Sequence, residues 1–157
     1  MGSRRRSREL AMQALFYMDN CHDNSEETLK RFCVNFNPTE DILSFFYRLV
    51  RGVVSEGNEI DSIIEKFSSN WKISRMSCVD RNIMRIAVYE LLWCGDIPSK
   101  VSINEAIDIG KKYGTEESGP FINGILDSIR DAIEKESIKA KDNATEDNKI
   151  TETDAEE

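Results

Sequence analysis

The side chains best suited to covalent chemistry are Cys21 and His22, which are neighbours in a polar segment. A thiol beside an imidazole can act as nucleophile and base, but no third group that would orient the imidazole is apparent, and this reading stays open as an alternative. The cysteines are too widely spaced for a C-x-x-C pair, which favours buried thiols in a reducing cytosol over a metal site. The sequence predicts a cytoplasmic protein with no catalytic site, no metal and no cofactor.

Positive charge is concentrated at the start of the chain, where Arg4, Arg5, Arg6 and Arg8 fall within two helical turns of a protein with a net charge of -8. The range 141–157 carries seven acids and two lysines, so the body of the chain is much less acidic than the total suggests. Screening at physiological salt limits the reach of each charge to about 8 Å. The start of the chain is therefore a candidate phosphate-binding patch.

One aromatic residue, Phe16, shares a predicted helix face with Arg5 and lies near Arg8. The predicted buried stripe of this helix is on the other side, and Met12 is expected with Phe16 on the face opposite it. The stripe comprises Leu10, Ala11, Ala14, Leu15 and Met18. A lone aromatic usually packs under another helix, but beside an arginine cluster the stacking of a nucleic-acid base is a competing explanation.

Apolar residues recur at helical spacing along the chain, and no segment alternates as a strand does. Between residues 80 and 93 they cover nearly the whole circumference, which predicts a central buried helix in which Arg85 and Glu90 must be paired. Seven helices with short connections predict an all-α bundle. No apolar run approaches the length that crosses a membrane.

Local signals place the helix ends and one domain boundary. Ser77 with Asp80, and Ser102 with Glu105, have the spacing of a capping box. Residues 139–157 are acidic and poor in apolar side chains, which predicts a disordered tail after a helical domain at 1–138.

Four stretches carry a more specific pattern, in this order: 4–16 (RRRSRELAMQALF), 79–91 (VDRNIMRIAVYEL), 97–107 (IPSKVSINEAI) and 121–127 (FINGILD). Together they resemble the NusB family of bacterial transcription antitermination factors over about residues 4 to 130. The resemblance implies two packed three-helix bundles with an additional N-terminal helix. It also implies binding to single-stranded boxA RNA of ribosomal RNA transcripts, together with the small-subunit ribosomal protein NusE, in a transcription elongation complex.

The resemblance also implies roles for six residues of this sequence. In the family, the arginines at the start of the chain contact phosphates of the RNA, and Arg4, Arg5 and Arg8 occupy these positions here. The family often has tyrosine at the position of Phe16. The phenylalanine ring can still stack on a base, but it cannot make the hydrogen bond of the phenolic hydroxyl. Two further residues match positions at the family's RNA surface, although Phe121 shares an apolar stripe with Ile125, which keeps core packing as the alternative. The implied RNA-binding residues are Arg4, Arg5, Arg8, Phe16, Asp80 and Phe121.

Two other classes of function fit a helical module of this kind. One is the N-terminal RNA-binding module of an RNA cytosine methyltransferase. The chain lacks a cofactor-binding βαβ pattern and a catalytic cysteine motif, which argues against this function. The other is a protein-interaction scaffold that forms a homodimer. The sequence leaves open whether the protein is a monomer or a homodimer.

Overall fold

The computed structural model describes residues 2–141, and every regular element in that range is helical. The helices are α1 (Gly2–Cys21), α2 (Glu26–Phe36), α3 (Glu40–Ser55), α4 (Gly57–Phe67), α5 (Cys78–Trp93), α6 (Ser99–Tyr113) and α7 (Ser118–Glu134), with a short 3-10 turn at Ile73–Arg75. The predicted all-α fold with seven helices is confirmed. None of the described helices is both long enough and apolar enough to cross a membrane.

The predicted tail begins at residue 139, and most of it, from 142 onward, lies outside the described residues. The last described residue, Lys141, donates its backbone N–H to the carbonyl of Leu92 and places its ammonium 2.8 Å from a carboxylate oxygen of Glu59. The division at 138 and 139 stays a prediction.

Helix α5 lies at the centre of the fold, as its all-round apolar sequence predicts. It packs against α1, α3, α4, α6 and α7, and Met84 and Val88 on it are completely buried. Helix α1 lies against both α3 and α5, so it joins the α2–α4 side of the molecule to the bundle of α5, α6 and α7. A helix covered on every side must be apolar around its circumference, which is the pattern from residue 80 to 93.

Only one of the two predicted capping boxes caps a helix. The hydroxyl of Ser77 accepts the backbone N–H of Asp80 at 3.0 Å and starts α5. The second prediction is wrong, because Pro98 is the N-cap residue of α6 and Ser102 lies one turn inside the helix. There the hydroxyl of Ser102 is buried and donates to Glu90 at 2.9 Å.

Helices α1 and α6 run parallel, and a ladder of ion pairs joins them. Arg5 donates to Glu105 and Asp108 at 2.6 and 2.8 Å, and one helical turn further on Lys112 donates to Glu9 at 2.9 Å. Met12 lies in the same contact between the two helices, near Ala106 and Ile109 of α6, and is 3% exposed. The expectation that Met12 lies opposite the buried stripe is therefore wrong, because α6 covers a second side of α1.

The cysteines are all free, but only Cys94 is buried as predicted. Burial raises the pKa of the Cys94 thiol to about 12, which keeps it protonated and unreactive. Cys21 is exposed, whereas Cys33 and Cys78 are partly buried. The expectation of buried thiols is thus met fully by Cys94 and in part by Cys33 and Cys78, whereas Cys21, in the polar segment, lies in the last turn of α1.

Candidate RNA-binding surface

Arg4 is the arginine of the N-terminal cluster that is most available to a ligand. Its side chain is exposed and makes no ion pair with any residue between 2 and 141. Its guanidinium carbon lies 4.7 Å from the centroid of the Phe45 ring, which orients the group by a cation–π contact. A phosphate can therefore meet Arg4 without displacing a carboxylate.

Arg5 and Arg6 are exposed but already paired. The hydrogen bond to Glu105 is the largest of the effects that raise the pKa of Arg5, and Asp108 adds to it. Arg6 donates to Glu9 at 3.2 Å. Ion pairs at such half-exposed sites are worth about 0–1 kcal/mol, so a phosphate can exchange with the carboxylate that holds Arg5.

Arg8 does not lie on the surface, and the structure contradicts its expected phosphate contact. Its side chain is 3% exposed, and its guanidinium donates two hydrogen bonds to Glu90, at 2.9 and 2.8 Å. A third, longer bond of 3.4 Å reaches Glu105. Arg8 is thus the buried partner that Glu90 was expected to have, and it stabilises the contact of α1 with α5 and α6.

Phe16 lies on the surface beside a mainly apolar groove of about 390 Å³. Its side chain is 38% exposed, and Phe36 on the opposite wall is 51% exposed. The ring of Phe36 stacks on that of Phe32 with 4.3 Å between centroids, which fixes its orientation. Tyr113 and Val79 complete the groove from α6 and α5. The groove offers the aromatic side chains on which a nucleobase stacks.

Two buried oxygen atoms at or beside this groove make no hydrogen bond within the described part of the chain. They are Oε1 of Gln13, which lines the groove, and Oδ1 of Asp80, which follows Val79. Buried polar atoms are nearly always paired, so each of these acceptors is expected to receive a hydrogen bond from water or from a bound ligand. The exocyclic amino group of a base is a donor of this kind.

Phe121 lies in the first turn of α7, partly buried and in contact with the core. Trp71, which is 50% exposed, covers it with 5.4 Å between ring centroids in an edge-to-face arrangement. Phe121 therefore packs inward on one side, as the core explanation predicts, and supports an exposed ring on the other. Its contact with RNA stays a prediction.

Arg85 has the structural role expected of it. It donates to both oxygens of Asp61 at 2.8 and 2.9 Å and to Asp19 at 3.0 Å. Burial opposes the charge of Arg85, but these carboxylates outweigh it and raise its pKa. Burial likewise opposes the charge of Asp19, and the hydrogen bond from Asn82 and the charges of Arg85 and Arg81 lower its pKa.

Sequence reasoning missed three aromatic residues of this surface, Phe36, Trp71 and Tyr113. The sequence placed Phe36 in the apolar stripe of its helix and Tyr113 at a helix end, because periodicity does not show where a bundle leaves a groove open. Trp71 could have been found from the sequence, since it is a large aromatic in the polar connection between two helices and belongs to no apolar stripe.

The Cys21 and His22 pair is exposed, and no cluster of metal-ligating residues occurs between 2 and 141.

Comparison with known proteins bears on the meaning of this surface. The model of the NusB family matches residues 5–131. The chain is 59% identical to "Transcription antitermination protein NusB" of Desulfatibacillum aliphaticivorans over 141 residues, which cover 90% of this chain and 99% of the relative. It is 54% identical to the protein of the same name from Desulforapulum autotrophicum, with 83% and 92% covered.

Solved structures resemble the fold just described. One is NusB of T. maritima, with a TM-score of 0.72, 40% identity, and coverage of 82% of this chain and 90% of that one. Another is described as antitermination factors NusB and NusE in complex with dsRNA, with a TM-score of 0.76, 32% identity, and coverage of 84% and 98%.

Proposed function

Because the chain belongs to the NusB family, we propose that it is a transcription antitermination factor that binds boxA RNA of ribosomal RNA transcripts together with NusE. The observation that carries the proposal is the aromatic groove between Phe16 and Phe36, with the unpaired Gln13 oxygen in its wall. The names of the relatives describe a transcription factor and neither an enzyme nor a methyltransferase, in agreement with the leading sequence prediction.

We infer that the preferred RNA is single-stranded at the groove. Double-stranded RNA is recognised mostly through its phosphates and 2′-hydroxyls, whereas unstacked bases of single strands are held by aromatic side chains. Of the four arginines at the start of α1, which also carries Phe16, Arg5, Arg6 and Arg8 are paired with carboxylates. Base stacking must then supply much of the affinity, although the related complex of NusB and NusE contains dsRNA.

The test is a titration of the protein with a boxA-like single strand, the same sequence as a duplex, and a scrambled single strand, each with and without NusE. We expect the boxA-like strand to bind most tightly and NusE to increase its affinity. Equal affinity for the three RNAs would contradict the sequence specificity that we propose. Tighter binding of the duplex would contradict the base-stacking mode.

The salt dependence of RNA affinity is expected to report on Arg4. Since Arg4 is exposed and makes no ion pair within residues 2–141, Arg4→Ala should make the slope of log affinity against log salt shallower by about 0.7, the contribution of one phosphate of a single strand. Arg130→Ala removes a partly exposed arginine that pairs with Glu134 in the second half of α7, and this control should leave the slope unchanged. An unchanged slope for Arg4→Ala would remove Arg4 from the phosphate contacts.

The remaining partners follow from the same proposal. The factor would act in the cytoplasm as part of a transcription elongation complex. Whether the free protein is a monomer or a homodimer is measured by sedimentation with and without RNA. A homodimer that RNA fails to dissociate and that binds no RNA would favour the scaffold function instead.

A further inference from the structure

The connection between α4 and α5 is a rigid segment that holds Trp71 at the surface. The hydroxyl of Ser68 lies 3.1 Å from the carbonyl oxygens of both Glu65 and Trp71, and the N–H of Trp71 donates to the carbonyl of Ser68 at 3.2 Å. Two residues further on, the N–H of Ile73 donates to the carboxylate of Glu65 at 3.1 Å. These bonds fix the backbone on both sides of the indole.

The backbone before Trp71 adopts an unfavourable conformation. Ser69 and Asn70 have φ of 58° and 63°, in the left-handed region that a serine rarely occupies. After the tryptophan, Met76 is buried, so the segment is anchored in the core at its far end. A segment held this firmly would normally bury its largest apolar side chain, yet Trp71 remains half exposed.

The indole of Trp71 packs against the ring of Phe121 on the side that faces the protein. Phe121 meets Trp71 edge to face, which is a preferred arrangement of two aromatic rings, and Phe121 itself packs against the core. The indole therefore stands between Phe121 and the solvent. A base that approaches this side of the protein meets Trp71 before it meets Phe121.

Three exposed cations on the segments that carry the aromatic pair, or that contact those segments, make no ion pair with a carboxylate in the described range. Lys72 and Arg75 are exposed on the same connection. Lys111 comes from the last turn of α6 and lies along Gly119 in α7, with its Cε 3.4 Å from the position that a Cβ on Gly119 would occupy. A half-exposed indole beside unpaired cations is the combination that binds single-stranded nucleic acid.

We propose that Trp71 stacks on a base of the bound RNA and that Phe121 is the positioning residue that holds the indole in place. This inference rests on the proposed RNA-binding function and adds a second stacking site to the groove at Phe16. Lys72 and Arg75 neutralise the phosphates of the strand that crosses it. The base contact expected of Phe121 from the sequence is thereby assigned to the ring that covers it.

The chain has two tryptophans, which makes the proposal directly measurable. Trp93 is buried, so a collisional quencher such as iodide reaches Trp71 selectively. Addition of boxA-like RNA to the full chain should change the emission of Trp71 and protect it from iodide. Trp71→Ala should weaken RNA binding about 5- to 150-fold, the range of losses for one stacked base, while the thermal midpoint changes little. Trp71→Phe should retain most of the affinity.

Two further comparisons separate stacking from a structural role. Phe121→Leu, which retains apolar bulk in the core, should weaken RNA binding in the presence of Trp71 but not in a Trp71→Ala background. Lys72→Ala with Arg75→Ala should make the salt slope shallower by about 1.4, two phosphates of a single strand, whereas Lys30→Ala on the exposed side of α2 should not.

The outcomes distinguish this proposal from the proposed function. If the parent protein binds RNA, but Trp71 emission is unaltered and Trp71→Ala binds as well as the parent, the stacking proposal is wrong and the RNA-binding function stands. If Trp71→Ala weakens binding of NusE and leaves RNA affinity unchanged, the indole belongs to a protein interface and the proposal is overturned. If the parent protein binds no RNA, both are wrong.

Discussion

Replacing Arg8 by alanine is expected to lower the free energy of unfolding by roughly 3–5 kcal/mol, because it leaves a buried carboxylate without its cation. Glu90 is 1% exposed, and after the change only the Ser102 hydroxyl would remain within hydrogen-bond distance of its carboxylate among the residues described. Domains of this size have about 5–15 kcal/mol of stability in total. Urea unfolding followed by circular dichroism measures the loss directly.

A charge-neutral double variant serves as the control. In Arg8→Met with Glu90→Gln both charges of the buried pair are removed, and the glutamine oxygen can still accept from Ser102. We expect this variant to recover most of the lost stability, since a buried ion pair is often no more stabilising than neutral residues of similar volume. It should also bind RNA like the parent protein. An Arg8→Ala variant with parental stability and a shallower salt slope would show instead that Arg8 contacts phosphate.

Phe16→Ala is expected to weaken RNA binding by roughly 1–3 kcal/mol, the range that alanine substitution gives for one stacked base. Its stability should change little, because the side chain is 38% exposed at the groove and alanine is a better helix former than phenylalanine. RNA titration and denaturant unfolding of the same variant measure the two quantities separately.

Two companions of this variant make the result specific. Phe16→Tyr retains the ring and should bind at least as tightly as the parent. Val34→Ala removes an apolar side chain that is 80% exposed on α2 and should alter neither quantity. Unfolding of Phe16→Ala, or RNA affinity equal to that of the parent, would remove Phe16 from the binding surface.

Local sequence signals were sufficient for the helices themselves. Helical spacing of apolar residues located all seven, and the nearly complete apolar circumference of residues 80–93 identified the central one. The Ser77 cap was predicted correctly because the hydroxyl and the N–H that it accepts are three residues apart. The same spacing gave a wrong cap at Ser102, because Ser102 and Glu105 lie inside a helix whose N-cap residue is Pro98.

The functional surface depended on contacts between residues far apart in the chain. The sequence by itself determined that arginines and an aromatic ring lie together on α1, because one helix arranges them. Only the tertiary structure decided which of them face a ligand: α6 places Glu105 beside Arg5, and α5 places Glu90 beside Arg8. It likewise set Trp71 over Phe121, fifty residues away. Periodicity describes how residues are arranged within one helix, whereas the availability of a charge or a ring depends on what packs against that helix.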